Sequence, residues 1–113
     1  MIRHTILFKV KSSIAQDELE DALSAMKELG NTLSGIFAIH TDECHFHDEK
    51  SKDFFMHNIQ GVSHAISIDF VDQKSLDNFF NNSITIPAKN KIVNIAENGY
   101  QGIIGFDLEN AEI

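Results

Sequence analysis

Two short segments, sixty residues apart, share one alternating pattern of apolar side chains. Residues 4–10 read His-Thr-Ile-Leu-Phe-Lys-Val, and residues 64–70 read His-Ala-Ile-Ser-Ile-Asp-Phe. Because side chains alternate between the two faces of a strand, each segment predicts a strand with one apolar face. Each apolar face begins with a histidine, His4 or His64. If the strands are neighbours, we expect these histidines to lie together at one end of the core-facing side of a sheet, where a pocket could open.

Three other segments have helical spacing. The first helix is predicted to begin near Ser13 and Gln16, which have the spacing of a capping box, and to end at Gly30. The apolar residues that define it are Leu19, Ala22, Leu23, Met26 and Leu29. Asp72 is the predicted N-cap of a second helix, whose apolar face carries Leu76, Phe79 and Phe80. Pro87 suits the first turn of a third helix, which carries Ile92, Val93 and Ala96 and ends at Gly99.

The remaining strands are predicted at 35–40, or 35–46, and at 102–108. Residues 47–61 read as a connection, with a helical turn at Phe54-Phe55-Met56 as an alternative. The order β-α-β-β-α(α)-β favours an α+β fold: a ferredoxin-like four-stranded antiparallel sheet with its helices on one face. Its first and third strands are then the central neighbours. The far face is expected to carry Leu7, Ala65 and Ile103, and a second copy of the chain would cover it.

Length and charge limit the classes of function. The 113 residues predict a single domain, 1–113. Seventeen acidic residues against nine basic ones give a net charge of −8, which disfavours nucleic acid and anionic membranes as partners. The chain has one cysteine, Cys44, which suits a reducing compartment, and no apolar run long enough to span a membrane. We therefore expect a cytoplasmic protein.

The order and spacing of these motifs resemble the stress-responsive A/B barrel domain, or Dabb, family. The matching pieces are residues 2–11, the segment from Gly61 through His64 to Phe70, and Phe106-Asp107 near the C-terminus. The resemblance covers nearly the whole chain and implies a dimeric α+β barrel with a pocket between sheet and helices. Among such proteins is a plant polyketide cyclase that performs aldol chemistry without metal or redox cofactor.

When the cyclase residues are carried over one by one, this chain has the matching residue at some positions and a different residue at others. The two strand histidines of the cyclase match His4 and His64. Its tyrosine falls on Phe79, which has no hydroxyl, and its histidine just after the second helix falls at or near Thr85. Because enolisation needs a base and a phenolic partner, we expect no efficient aldol cyclisation by this chain.

For His4 and His64 two interpretations stay open. They are either structural imidazoles bonded to neighbouring backbone, Asp or Ser groups, or ligand-binding and catalytic groups, since histidine exchanges protons near neutral pH. The candidate substrate-binding residues are His4, His64, Phe79 and Phe80. The triplet 54–56 is either part of the core or a lid or dimer contact.

A second histidine cluster comprises His40, His45 and His47. We interpret it either as a polar strand end and loop or as a metal site. A structural zinc site needs four ligands, and because the sequence has no second pair of ligands at a suitable spacing, the strand end and loop are favoured. We expect no metal and no cofactor.

The leading hypothesis is a homodimer that binds a small apolar or aromatic molecule. The alternatives are a cofactor-free cyclase, isomerase or lyase using His4 or His64 as acid or base, and a structural or stress-associated dimer without ligand.

Overall fold

The computed structural model describes residues 1–44 and 61–110. The order of elements is β-α-β-β-α-α-β, with short 3₁₀ turns at Ser83–Thr85 and Gly99–Gly102. The helices and strands are β1 (Ile2–Phe8), α1 (Gln16–Thr32), β2 (Ile36–Glu43), β3 (His64–Phe70), α2 (Gln73–Asn81), α3 (Ile86–Ile95) and β4 (Ile104–Glu109). The predicted connection at 47–61, with its aromatic triplet, lies almost wholly outside the described residues.

The four strands form one antiparallel sheet in the order β2-β3-β1-β4. The prediction that the first and third strands are central neighbours is confirmed. In the β1–β3 pair His4 lies opposite Ile68, and Phe8 lies opposite His64. The α+β, ferredoxin-like fold class is therefore as the sequence predicts.

One apolar core joins the inner face of the sheet to the helices. β1 and β3 contribute alternate residues, and the helices contribute residues at three- and four-residue spacing. The buried members are Phe8, Ala22, Met26, Leu29, Ile66, Ile68, Phe70, Leu76, Phe79, Ala88, Ile92, Ile95 and Ala96. Phe70 and Phe79 meet edge to face with their ring centroids 5.4 Å apart, and this contact fixes α2 on the sheet.

The helix ends agree only partly with the sequence. Asp72 is the N-cap of α2, as predicted: its carboxylate accepts hydrogen bonds from the Ser75 amide at 2.8 Å and hydroxyl at 2.7 Å. These bonds hold the pKa of Asp72 below its usual range. The capping box at Ser13 is wrong, because α1 begins at Gln16 after Ala15 and has no side-chain cap. Gly30 does not end α1, which runs on to Thr32. In the turn between α1 and β2, the glycine with positive φ is Gly35.

The outer face of the sheet, away from the helices, differs from the sequence prediction along β4. Ile104 lies opposite Leu7 and Phe106 opposite Thr5, so Ile104, Phe106 and Leu108 share the outer face. They are 50%, 41% and 49% exposed, and we call them the outer row. Ile103, which was expected on this face, points inward instead. Alternation separates the two faces of a strand, but only the register with β1 shows which of them is buried.

An ion pair lies on the same outer face, across the two central strands. Arg3 donates to both carboxylate oxygens of Asp69, at 2.7 and 3.2 Å, although Asp69 is fully buried. His40 Nε2 lies 3.9 Å from the same carboxylate. The Asp69 carboxylate raises the pKa of the Arg3 guanidinium, so Arg3 stays charged. The outer face thus combines a charged centre with the apolar outer row along one edge.

Candidate functional site

A cavity of about 410 Å³ lies between the inner face of the sheet and the helices. This volume is within the range of small-molecule sites. β1, β3, β4, α1, α2 and α3 all contribute to its wall. Its lining residues are His4, Ile6, Met26, Ile66, Ile68, Phe79, Phe80, Ile86, Lys89, Asn90, Ile92, Val93, Tyr100, Ile103 and Gly105.

His4 is held in the cavity wall by β4. Its Nδ1 lies 2.7 Å from Oδ1 of Asp107, the residue directly opposite it in the β1–β4 pair. Because an ionised carboxylate can only accept, Nδ1 carries the proton in this pair, and a neutral His4 keeps a lone pair on Nε2. The edge of the Phe80 ring packs against the imidazole, with centroids 5.0 Å apart. His4 therefore has a fixed orientation and one ring nitrogen suited to accept a proton.

His64 lies elsewhere, and the expectation that both histidines meet at one end of the sheet is wrong. They do share the inner face of adjacent strands. Because these strands are antiparallel, however, their first residues lie at opposite ends, four positions apart or about 13 Å. His64 is 8% exposed, stacks on Phe8 and lies 2.8 Å from the Ser63 hydroxyl through Nδ1. It does not line the cavity, and its surroundings match the structural interpretation.

Phe79 and Phe80 both line the cavity but differ in burial. Phe79 is 2% exposed and belongs to the core, whereas Phe80 is 46% exposed at the cavity mouth. The Lys89 ammonium lies over both rings, 4.8 Å from the Phe79 centroid and 5.1 Å from that of Phe80. Burial lowers the pKa of Lys89 from that of a solvated lysine.

Thr85, at the position where the Dabb resemblance calls for a histidine, has a structural role. It is fully buried, and its hydroxyl donates to the Asn82 carbonyl at 2.8 Å, with the Phe79 carbonyl at 3.3 Å. These bonds close the turn between α2 and α3. Thr85 does not reach the cavity.

Two residues at the site, Asp107 and Lys89, were not predicted from the sequence. Ile86, Lys89, Asn90 and Val93 have the i, i+3, i+4, i+7 spacing of one helix face, so the stripe that lines the cavity was visible in the sequence. Asp107 could be placed beside His4 only once the β1–β4 register was known.

The second histidine cluster carries no site within the part of the chain that the structure describes. There, no group of three or more His, Cys, Asp or Glu side chains is arranged to hold a metal ion. His45 and His47 lie outside the described residues.

Burial, with the nearby Asp42, raises the pKa of the Cys44 thiol, which disfavours the nucleophilic thiolate. Among the described residues, no helix is long and apolar enough to cross a membrane.

The sequence matches no protein-family model and no curated protein. Solved structures with the same fold do match. A dimeric ferredoxin-like protein of unknown function from Jannaschia sp. CCS1 has a TM-score of 0.77 at 20% identity and covers 96% of this chain and 97% of its own. A Dabb family protein with a ferredoxin-like fold from Mesorhizobium loti has a TM-score of 0.69 at 15% identity, with coverages of 98% and 97%.

A third structure with this fold is an enzyme. The hydroxynitrile lyase from Passiflora edulis has a TM-score of 0.72 at 14% identity, with 99% of this chain and 96% of the lyase covered. At these identities the likeness concerns the fold alone. The chain has the ferredoxin-like fold of a Dabb family protein, and the resemblance predicted from the sequence is confirmed at that level.

Proposed function

We propose that the protein is a homodimer that binds a small apolar or aromatic molecule in the cavity between sheet and helices. The observation that carries the proposal is the cavity itself, which is lined mostly by isoleucine, valine, methionine and phenylalanine side chains. Such a wall excludes water and favours apolar ligands, while a few polar groups orient them. The single cysteine fits a reducing compartment such as the cytoplasm.

Association through the outer face is the second part of this proposal. The outer row is an apolar strip on a sheet face that no helix of the described chain covers. The Jannaschia neighbour with this fold is dimeric. In a symmetric dimer, each copy would bury the same face against its partner.

Substitution Gly105→Leu is expected to weaken ligand binding about tenfold or more, because it adds bulk beside His4. A Cβ at Gly105 would lie 3.6 Å from Ile6 Cγ2 and 3.7 Å from His4 Cε1, and both residues line the cavity. Fluorescence titration with the neutral apolar dye N-phenylnaphthylamine measures the effect. Gly105→Ala is the matched control, since its methyl group makes ordinary contacts and should leave binding nearly unchanged. No saturable dye binding by the parent protein, or equal binding by the leucine variant, would contradict the proposal.

The His4–Asp107 pair favours a second candidate function, a cofactor-free enzyme of lyase type. In such a reaction His4 Nε2 would take the hydroxyl proton of a hydroxynitrile as the carbon–carbon bond breaks, giving a carbonyl compound and cyanide. The protonated His4 would then return this proton to the cyanide, which leaves as hydrogen cyanide. Asp107 would hold the imidazole in the required tautomer. The fold shared with the Passiflora lyase supports this choice of reaction.

His4→Ala is expected to lower any cleavage of mandelonitrile by roughly 10²–10⁴-fold, the usual contribution of a general acid–base group. Release of benzaldehyde measures the rate. His64→Asn is the control, because His64 lies outside the cavity; it should reduce thermal stability and spare the rate per folded molecule. Equal losses in the two variants, or no cleavage above the uncatalysed rate by the parent protein, would eliminate this second candidate.

A further inference from the structure

Lys89 is a half-buried cation in the cavity wall, and none of the described side chains around it neutralises its charge. Its ammonium lies over the Phe79 and Phe80 rings, whose faces attract a cation without cancelling its charge. Within residues 1–44 and 61–110, no carboxylate forms an ion pair with Lys89. By contrast, Lys91, two residues along the same helix, pairs with Asp21 at 2.8 Å. A positive charge thus stands at the cavity with no acidic partner among the described side chains.

Polarity changes with depth in the cavity. Its floor is formed by residues with almost no exposure, among them Ile66 at 1% and Ile92 at 2%. Its mouth is formed by residues that water reaches, including Lys89, Asn90 and Tyr100, the last of them 80% exposed. A molecule that fills this space is complementary when its apolar part lies on the floor and its polar group lies at the mouth.

The charge at the mouth also limits what the polar group can be. A single ammonium matches one negative charge, whereas a phosphate dianion is commonly held by several cations or a run of backbone amides. Burial lowers the pKa of Lys89 because partial loss of water destabilises the charged ammonium. A bound anion that neutralises the ammonium offsets this desolvation cost. A carboxylate has the required charge and accepts hydrogen bonds from an ammonium.

We propose that the ligand of this cavity is a small amphiphilic carboxylate, bound with its carboxylate against Lys89 and its apolar body against the isoleucine floor. The proposal rests on the proposed function, since it names the class of molecule that the same cavity takes. Lys89 then selects the acid over neutral molecules of the same shape.

The test compares octanoate with octanamide, which has the same chain and a neutral planar head group. Isothermal titration calorimetry at physiological ionic strength is expected to show octanoate binding about tenfold more tightly to the parent protein. Lys89→Met keeps the apolar stem and removes the charge, so it should abolish the preference while octanamide still binds. Lys91→Met is the matched control: it changes the net charge equally on the same helix, outside the main cavity, and should retain the preference.

Each other outcome overturns part of the proposal. Equal affinities for the two ligands in the parent protein, or a preference that survives in Lys89→Met, would refute carboxylate selection and leave the apolar binding site standing. Loss of the preference in both lysine variants would assign it to the overall field of the protein instead of to Lys89. No binding of either ligand would refute both this inference and the proposed small-molecule function.

Discussion

Phe106→Asp is expected to convert the proposed dimer into a monomer, with association weakened by about 10³-fold. Phe106 lies in the middle of the outer row and is 41% exposed in the single chain. A central aromatic residue commonly contributes about 2 kcal/mol or more to an interface, and a symmetric dimer contains the substitution twice. A buried, unpaired carboxylate adds a further desolvation cost. Sedimentation equilibrium over a range of micromolar concentrations measures the change.

Ile84→Asp is the control for this experiment. Ile84 is 47% exposed but lies in the turn between α2 and α3, on the helix side of the sheet. The same change of charge there should leave the dimer intact. A parent protein that sediments as a 12.7 kDa monomer, or a Phe106→Asp variant that remains dimeric, would show that the outer row is not the interface.

Gly35→Ala is expected to lower the free energy of unfolding by about 1–3 kcal/mol from backbone strain alone, and further through a steric clash. Gly35 has a φ of +83°, which an L side chain adopts at a cost. A Cβ at this position would also collide with the Ser75 side chain, which helps Asp72 cap α2. Thermal and urea unfolding, at one fixed protein concentration, measure the loss.

Gly30→Ala is the matched control and should have the opposite sign. Gly30 lies inside α1, where alanine is favoured by about 0.5–1 kcal/mol. Its Cβ would contact Ile39 Cδ1 at an ordinary 3.5 Å. Equal stability losses in the two variants would mean that the conformation at Gly35 is not the source of the effect.

These two glycines illustrate how far the sequence predicts the fold. Local spacing identifies α1 correctly, but a glycine after the last apolar residue is an ambiguous stop signal. Gly30 continues the helix and lies against the Ile36 and Ile39 side chains of β2. The positive φ that the turn needs comes five residues later, at Gly35. Element type follows from short-range pattern, whereas element ends depend on tertiary contacts.

The site was less predictable than the fold because it depends on register. The sequence placed His4 and His64 correctly on one face of adjacent strands, and placed Phe79 and Phe80 on the helix nearby. The two histidines were expected at the same end of the sheet. Antiparallel pairing instead puts the first residues of neighbouring strands at opposite ends. The partner of His4, Asp107, is 103 positions away in the chain, and no local pattern links them.

The position of β4 at the sheet edge has a thermodynamic consequence. Among the described strands, β4 is hydrogen-bonded to β1 alone, and the residues on its two faces have different roles. Its outward residues form the outer row, while its inward residues Gly105 and Asp107 lie in the cavity wall or hold His4. In a dimer built on the outer row, contacts of the partner with β4 would also restrain Asp107, the residue that holds His4. Association and ligand occupancy would then be linked functions, each strengthening the other by the same coupling free energy.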